Sequence, residues 1–217
     1  VMLGNAYAAD ERPEDGLRMV ERALRLNPTY DFAYTALGKM RIDRGEGALA
    51  IEPLLRGLRQ QPDSVLLNEY LGIAYGEAGD IQRSISHLQR ALMLDPRDAS
   101  VYTNLGVAYS RLGDQQQALD CFERSLRLVP DSEKTLFNYA STLFVLGEKA
   151  RALDALRAVV AVNPAHADAQ YGMGTLAFEF GRPQETAAAR DALRRLGDER
   201  AAELDALLRA TPAETIR

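Results

Sequence analysis

The sequence predicts an all-α solenoid of antiparallel helix pairs, and three observations carry that prediction. Pro28, Pro62, Pro96, Pro130 and Pro164 recur every 34 residues. Two glycine sets keep the same register: Gly4, Gly38, Gly72, Gly106 and Gly174, with Ala140 in the remaining place, and Gly45, Gly79, Gly113, Gly147 and Gly181. Apolar residues recur at helical spacing between these marks, most clearly in VYTNLGVAYSRL and QQALDCFERSLRL. A fixed period of this length marks a stacked repeat, in which each unit buries its apolar face only against its neighbours.

Each repeat reads as helix A, a stop, helix B and a proline break. Helix A carries a leucine or similar residue before the first glycine (Leu3, Leu37, Leu71, Leu105, Tyr139, Met173) and a tyrosine three residues after it (Tyr7, Tyr75, Tyr109). The second glycine is predicted to end helix A in a left-handed conformation, and Asp80, Asp114 and Glu148 follow it as residues that favour the next helix start. Helix B carries Ala50, Ser84, Ala118 and Ala152, then Leu54, Leu88, Phe122 and Leu156 four residues later. A glycine inside helix A costs roughly 1 kcal/mol against alanine. The expected compensation is close approach of the helices, with Gly106 facing Ala118.

The register divides the chain, read as a single domain over 1–217, into a partial repeat 1–30, repeats 31–64, 65–98, 99–132 and 133–166, a divergent repeat 167–197, and a capping helix 198–210. Repeat 31–64 breaks the pattern twice. Arg41 replaces the tyrosine, and Pro53 falls inside helix B, which is expected to kink or start late. In repeat 167–197 Thr186, Arg190 and Asp198 replace the small, apolar and proline positions, as in a terminal repeat whose outer face meets water. Asp198 is a candidate N-cap for a last helix whose Leu204, Leu207 and Leu208 form one stripe. Val1 falls at position 5 of a helix A, so further repeats or another domain are expected before it, the alternative being a partner subunit over that end.

These residues resemble the tetratricopeptide repeat (TPR) family, whose 34-residue pattern combines a leucine-glycine pair, an aromatic, an alanine, a phenylalanine and a closing proline. The resemblance covers almost the whole chain. It implies about six units in a right-handed superhelix whose A helices line a concave groove with positions 2, 5, 6, 9, 12 and 13. On the first full repeats those positions hold Phe32, Thr35, Lys39, Ile42 and Asp43, then Leu66, Glu69, Tyr70, Ile73 and Glu77. Thr103, Asn104, Val107, Ser110 and Arg111 follow, then Lys134, Phe137, Asn138, Ser141, Phe144 and Val145, and finally Asp168, Tyr171, Thr175, Phe178 and Glu179. The strongest candidates for peptide contact are Lys39, Glu69, Tyr70, Ile73, Asn104, Val107, Arg111, Lys134, Asn138, Ser141, Phe144 and Tyr171.

Two subsets of the family sharpen the reading. The clamp that holds the C-terminal carboxylate of chaperones is missing: Asn5 fits, but Ala36 replaces an asparagine, and Leu66 and Tyr70 replace two cations. The asparagine ladder of the superhelices attached to protein O-GlcNAc transferases is matched by Asn104 and Asn138 and not by Ala36, Tyr70 or Gly172. An asparagine offers the donor and acceptor that a grip on a peptide unit requires. The competing reading is that both asparagines bond water or a neighbouring helix.

Other chemistries are weakly represented. With a formal net charge of -5, the chain lacks the basic footprint of a nucleic-acid binder. Cys121 is the single cysteine, which excludes an internal disulfide and a thiolate-rich metal site, and it reads as a filler or surface thiol. His87 and His166 read as solvated side chains, and no metal or cofactor is expected. The segment YGMGTLA at 171–177 matches a dinucleotide fingerprint, but the register puts it inside a helix with no strand before it. No apolar run approaches the length of a membrane span. The expectation is a non-catalytic scaffold or adaptor that binds a protein segment or partner helix, in the cytoplasm ahead of other compartments. The alternatives are the substrate-recruiting or regulatory region of a larger enzyme, such as a glycosyltransferase or sulfotransferase, and self-association.

Overall fold

The proline comb works through the residue ahead of each proline, which steric clash drives out of the helical region. In the computed structural model, which describes residues 13–27 and 31–210, Gln61, Asp95 and Asn163 sit at φ −128°, −133° and −132° and end their helices. The expected features on 1–12, on Pro28 and on 211–217 lie outside the described residues.

The second glycine set ends the A helices as predicted. Gly45, Gly79, Gly113, Gly147 and Gly181 all have φ between 65° and 90°, a region that glycine enters without Cβ strain. At Gly113 the amide donates to the Ser110 carbonyl at 3.1 Å and the next amide, of Asp114, donates to the Tyr109 carbonyl at 3.0 Å. Two amides thus reach back over the last turn, a Schellman stop. Asp80 and Asp114 then accept the backbone N–H of Arg83 and Gln117, whereas Glu148 makes no such bond.

Two compact units divide at Cys121/Phe122. The first contains α1 (Pro13–Leu26), α2 (Asp31–Ile42), α3 (Gly47–Gln60), α4 (Val65–Glu77), α5 (Ile81–Leu94), α6 (Ala99–Leu112) and the first half of α7 (Gln115–Leu128). The second contains the rest of α7, then α8 (Glu133–Val145), α9 (Lys149–Val162), α10 (Ala167–Glu179), α11 (Pro183–Leu196) and α12 (Ala201–Ala210). Among the described residues every regular element is a helix. In the first unit each helix from α1 to α6 packs on its neighbour in sequence, and α8 to α12 do the same in the second. Consecutive A helices also touch, α2 with α4 and α4 with α6. The first core centres on Ala50, Leu54, Leu67, Leu71, Ala74 and Tyr75.

Close approach explains the mid-helix glycines, and the nearest side chain is a large one. A Cβ on Gly72 would fall on the side chain of Leu88, and one on Gly38 on that of Leu54, so position 8 faces the large residue at position 24. The small residue at position 20 also meets a glycine of helix A: Ser84 approaches the Gly76 Cβ site at 3.3 Å. A large side chain fills the space that a missing Cβ leaves.

Three expectations are corrected in whole or in part. Of the two outcomes expected at Pro53, the late start does not occur: helix α3 spans Gly47 to Gln60 with Pro53 inside it. The carbonyl deprived of its donor is that of Leu49, an exposed residue, so water can take the bond. Thr186 and Arg190 face protein rather than water. The buried Thr186 hydroxyl donates to the Gly174 carbonyl at 3.1 Å, and Arg190 pairs with Asp205 of α12 at 3.2 Å. Both histidines are also placed. His87 stacks on Tyr75 with centroids 5.5 Å apart, and His166 accepts the Ala169 N–H at the start of α10 while its ring lies 4.6 Å from that of Phe137.

Candidate functional site

The A-helix face of the first unit is built by α2, α4 and α6. Phe32 and Leu66, both at position 2, are 68% and 45% exposed despite their apolar side chains. Tyr70 and Ile42 are partly buried against the Leu54–Leu71 core. Ile73 and Val107 are likewise half-buried. Burial raises the Tyr70 phenol pKa, with the Lys39 cation opposing it. Lys39 pairs with Asp43 at 2.5 Å, and that bond holds the lysine pKa above its usual value.

The polar residues of this face are engaged with protein. Glu69 is only 8% exposed, and its carboxylate accepts the Ser100 hydroxyl at 2.6 Å and the Asn104 amide at 3.0 Å. Arg111 donates to the Gly76 carbonyl at 3.0 Å. Both bonds join residues 35 apart, one period plus one residue, because consecutive A helices stack slightly out of step. Thr103, expected in the groove, is buried and donates to its own helix at the Ala99 carbonyl.

In the second unit, Phe144 and Val145 at the end of α8 are 52% and 65% exposed. Lys149 sits 5.9 Å from the Phe144 ring centroid and pairs with Glu179 at 2.7 Å. Lys134 and Ser141 are exposed, with the Ser141 hydroxyl donating to the Phe137 carbonyl. Asn138 is half-buried, and its side-chain amide has no hydrogen-bond partner among the described residues. Tyr171 instead faces α12: its hydroxyl donates to Glu203 at 2.6 Å, a bond that raises the phenol pKa, and Arg200 lies 5.2 Å from its ring while pairing with Asp168. The two ladder asparagines are thus unequal. Asn104 is occupied in holding a buried carboxylate, and Asn138 keeps its amide open.

Other sequence motifs fall into ordinary structural places. The segment 171–177 lies in the middle of α10. Cys121 is buried. Among the described residues no group of three or more His, Cys, Asp or Glu could hold a metal ion, and no helix is long and apolar enough to cross a membrane.

Paired helices, left-handed glycine stops and stacked A-helix faces define a helical-repeat protein. Residues 87–203, just over half of the chain, match the model of the cytochrome c-type biogenesis protein H TPR domain, and residues 1–65 match a tetratricopeptide repeat model. The chain belongs to the tetratricopeptide repeat family. No curated protein matches the sequence. Among solved structures, PilW, described as a widely conserved type IV pilus biogenesis factor, is 19% identical with a TM-score of 0.83 over 94% of this chain and 95% of that one. Pseudomonas aeruginosa PilF is 23% identical with a TM-score of 0.80 over 94% of each chain. YrrB, described as a TPR protein with an unusual peptide-binding site, is 19% identical with a TM-score of 0.65 over 86% of this chain and 97% of that one.

Proposed function

We propose that this protein is an interaction scaffold, without a catalytic step of its own, whose α2–α4–α6 face takes an extended and largely uncharged segment of a partner protein. One observation carries the reading. Apart from the exposed Glu77, the charged groups on that face are engaged by side chains or backbone (Lys39 with Asp43, Glu69 with Ser100 and Asn104, Arg111 with Gly76), while apolar Phe32 and Leu66 stand exposed beside Tyr70 and Ile73. A charge already engaged gains little from a ligand, whereas an exposed apolar side chain gains roughly 25 cal/mol for each Å² covered. The peptide-binding site named for YrrB and the biogenesis roles named for PilW are consistent with such a scaffold.

The test is selection from a random peptide display library against the intact chain, followed by affinity measurement. Selected segments should be rich in apolar residues with little net charge. Leu66→Asp and Ile73→Asp should each weaken them about tenfold or more at unchanged helicity, and Arg111→Gln should leave affinity unaltered. Strongly acidic or basic selected peptides, or affinity indifferent to Leu66→Asp and Ile73→Asp, would overturn the reading.

A further inference from the structure

The two departures of repeat 31–64, Arg41 and Pro53, are brought together. In the following repeat the equivalent residues are Tyr75 and His87, whose rings stack at 5.5 Å. Where that stack would lie, the first repeat has a pocket of about 490 Å³ between α1, α2 and α3, with Arg41 and Pro53 in its wall. A proline ring and an extended guanidinium fill less of this space than two stacked rings. Repeat 31–64 therefore leaves open a space that the next repeat fills with its ring stack.

The pocket has a definite charge character. Arg25, Arg41 and Arg56 face Glu21 and Glu52, leaving one positive charge in excess. Arg41 is the most enclosed: its side chain is 17% exposed, and it donates to Glu21 at 2.9 Å and, at a longer 3.4 Å, to Glu46. Glu46 is also held by Arg44 at 2.8 Å. The Nε atom of Arg41 is buried with no hydrogen-bond partner among the described residues. A buried donor without an acceptor carries a desolvation penalty, so the two carboxylates do not satisfy every donor of the Arg41 guanidinium. Arg56 is tied to Glu52 at 2.9 Å and interacts with the Tyr34 hydroxyl, and Arg25 stands exposed at the edge. Tyr34, Leu37 and Pro53 give the wall an apolar part.

We propose that this pocket is a binding site for a monocarboxylate with an apolar or aromatic body, held through the Arg41 guanidinium with Arg25 and Arg56 at the rim. A guanidinium recognises a carboxylate through its fixed fork of N–H donors. The excess of one charge matches a monoanion, and Glu21 and Glu52 oppose a multiply charged phosphate. None of the groove positions of α2 lines the pocket, so the site is separate from the proposed peptide surface.

The probe is 3-phenylpropionate, titrated into the intact protein and followed by amide chemical shifts, with neutral 3-phenylpropanamide as its control. The acid should saturate at millimolar concentration or below, with shifts confined to α1–α3, and the amide should bind about tenfold more weakly or worse. Arg41→Tyr restores the residue that the next two repeats carry. It should keep the melting temperature while abolishing saturation, and Arg56→Gln, at an exposed rim residue, should weaken it several-fold. An N-acetylated tripeptide ending in a free phenylalanine carboxylate separates the sources. Binding tighter than 3-phenylpropionate assigns the site to a partner's C-terminus, and weaker binding assigns it to a free small acid. No saturation in the native protein, equal binding of the amide, or binding that survives both Arg41→Tyr and Arg56→Gln would overturn the proposal.

Discussion

The side-chain amide of Asn104, on α6, donates to the carboxylate of Glu69, on α4, at 3.0 Å. Glu69 is a buried acid, so each donor around it matters: an unsatisfied buried acceptor costs about 1–3 kcal/mol, and more when it is charged. Asn104→Ala should lower the unfolding free energy measured by urea denaturation by an amount in that range. Glu69→Ala should also destabilise, and the double variant should lose less than the sum of the two. Additive losses would show that the bond contributes nothing.

Asn138 provides the contrast. Its amide is without a hydrogen-bond partner among the described residues, so Asn138→Ala should change stability by no more than about 0.5 kcal/mol. A loss as large as that of Asn104→Ala would mean that its side chain is structural after all. Any peptide whose affinity falls in Asn138→Ala, at unchanged melting temperature, identifies this asparagine as a contact.

Gly72 offers a test in which two effects have opposite signs. Alanine is the better helix former by roughly 1 kcal/mol, so propensity alone makes Gly72→Ala stabilising. The new Cβ, however, would fall on the side chain of the buried Leu88, and overpacking of this kind costs about 1–3 kcal/mol. A net fall in melting temperature is expected. A rise would refute the close-approach account of the glycine register.

His87 makes stability depend on pH. Its Nδ1 lies 3.1 Å from Oδ1 of Asn68, a buried residue whose own amide donates to the Ser64 carbonyl, and its ring covers Tyr75. Burial, aided by the Arg83 cation, lowers its pKa below the usual imidazole value of about 6.5. The unfolded chain therefore takes up the proton first on acidification. The His87 contribution is complete above that unfolded value and is lost as pH falls through the lower folded one. Melting temperatures between pH 7 and pH 5 should fall more steeply for the native protein than for His87→Gln, and parallel slopes would exclude the effect.

Leu204 anchors α12. It is fully buried, and its side chain occupies the place that a Cβ on Gly174 would need. Leu204→Ala should cost about 2–5 kcal/mol in the second unit. Amide exchange in α10 and α11 should quicken, since α12 packs on both. Unchanged exchange there would mean that α12 covers them without supporting them.

Much of the architecture was legible in the chain because it is encoded by backbone constraints local to a few residues. A proline disfavours the helical region for the residue before it, and a glycine admits the left-handed stop after helix A. Repetition every 34 residues turned those local rules into an order of helices. Which face the A helices present was implied by the family resemblance carried on that register, and Phe32 and Leu66, placed on it, are exposed.

What tertiary structure decided is which side chains meet across helices. The register placed Asn104 on the groove face and said nothing of the Glu69 carboxylate one period and one residue back. It marked Tyr171 as a groove residue, and α12 supplied the Glu203 carboxylate that takes its hydroxyl proton in a hydrogen bond. It flagged Arg41 and Pro53 as two separate irregularities, and folding put both in the wall of one pocket. The physical reason is the same in each case. Secondary structure answers to spacing along the chain, whereas pairing, burial and cavities answer to the distances and volumes that packing alone sets.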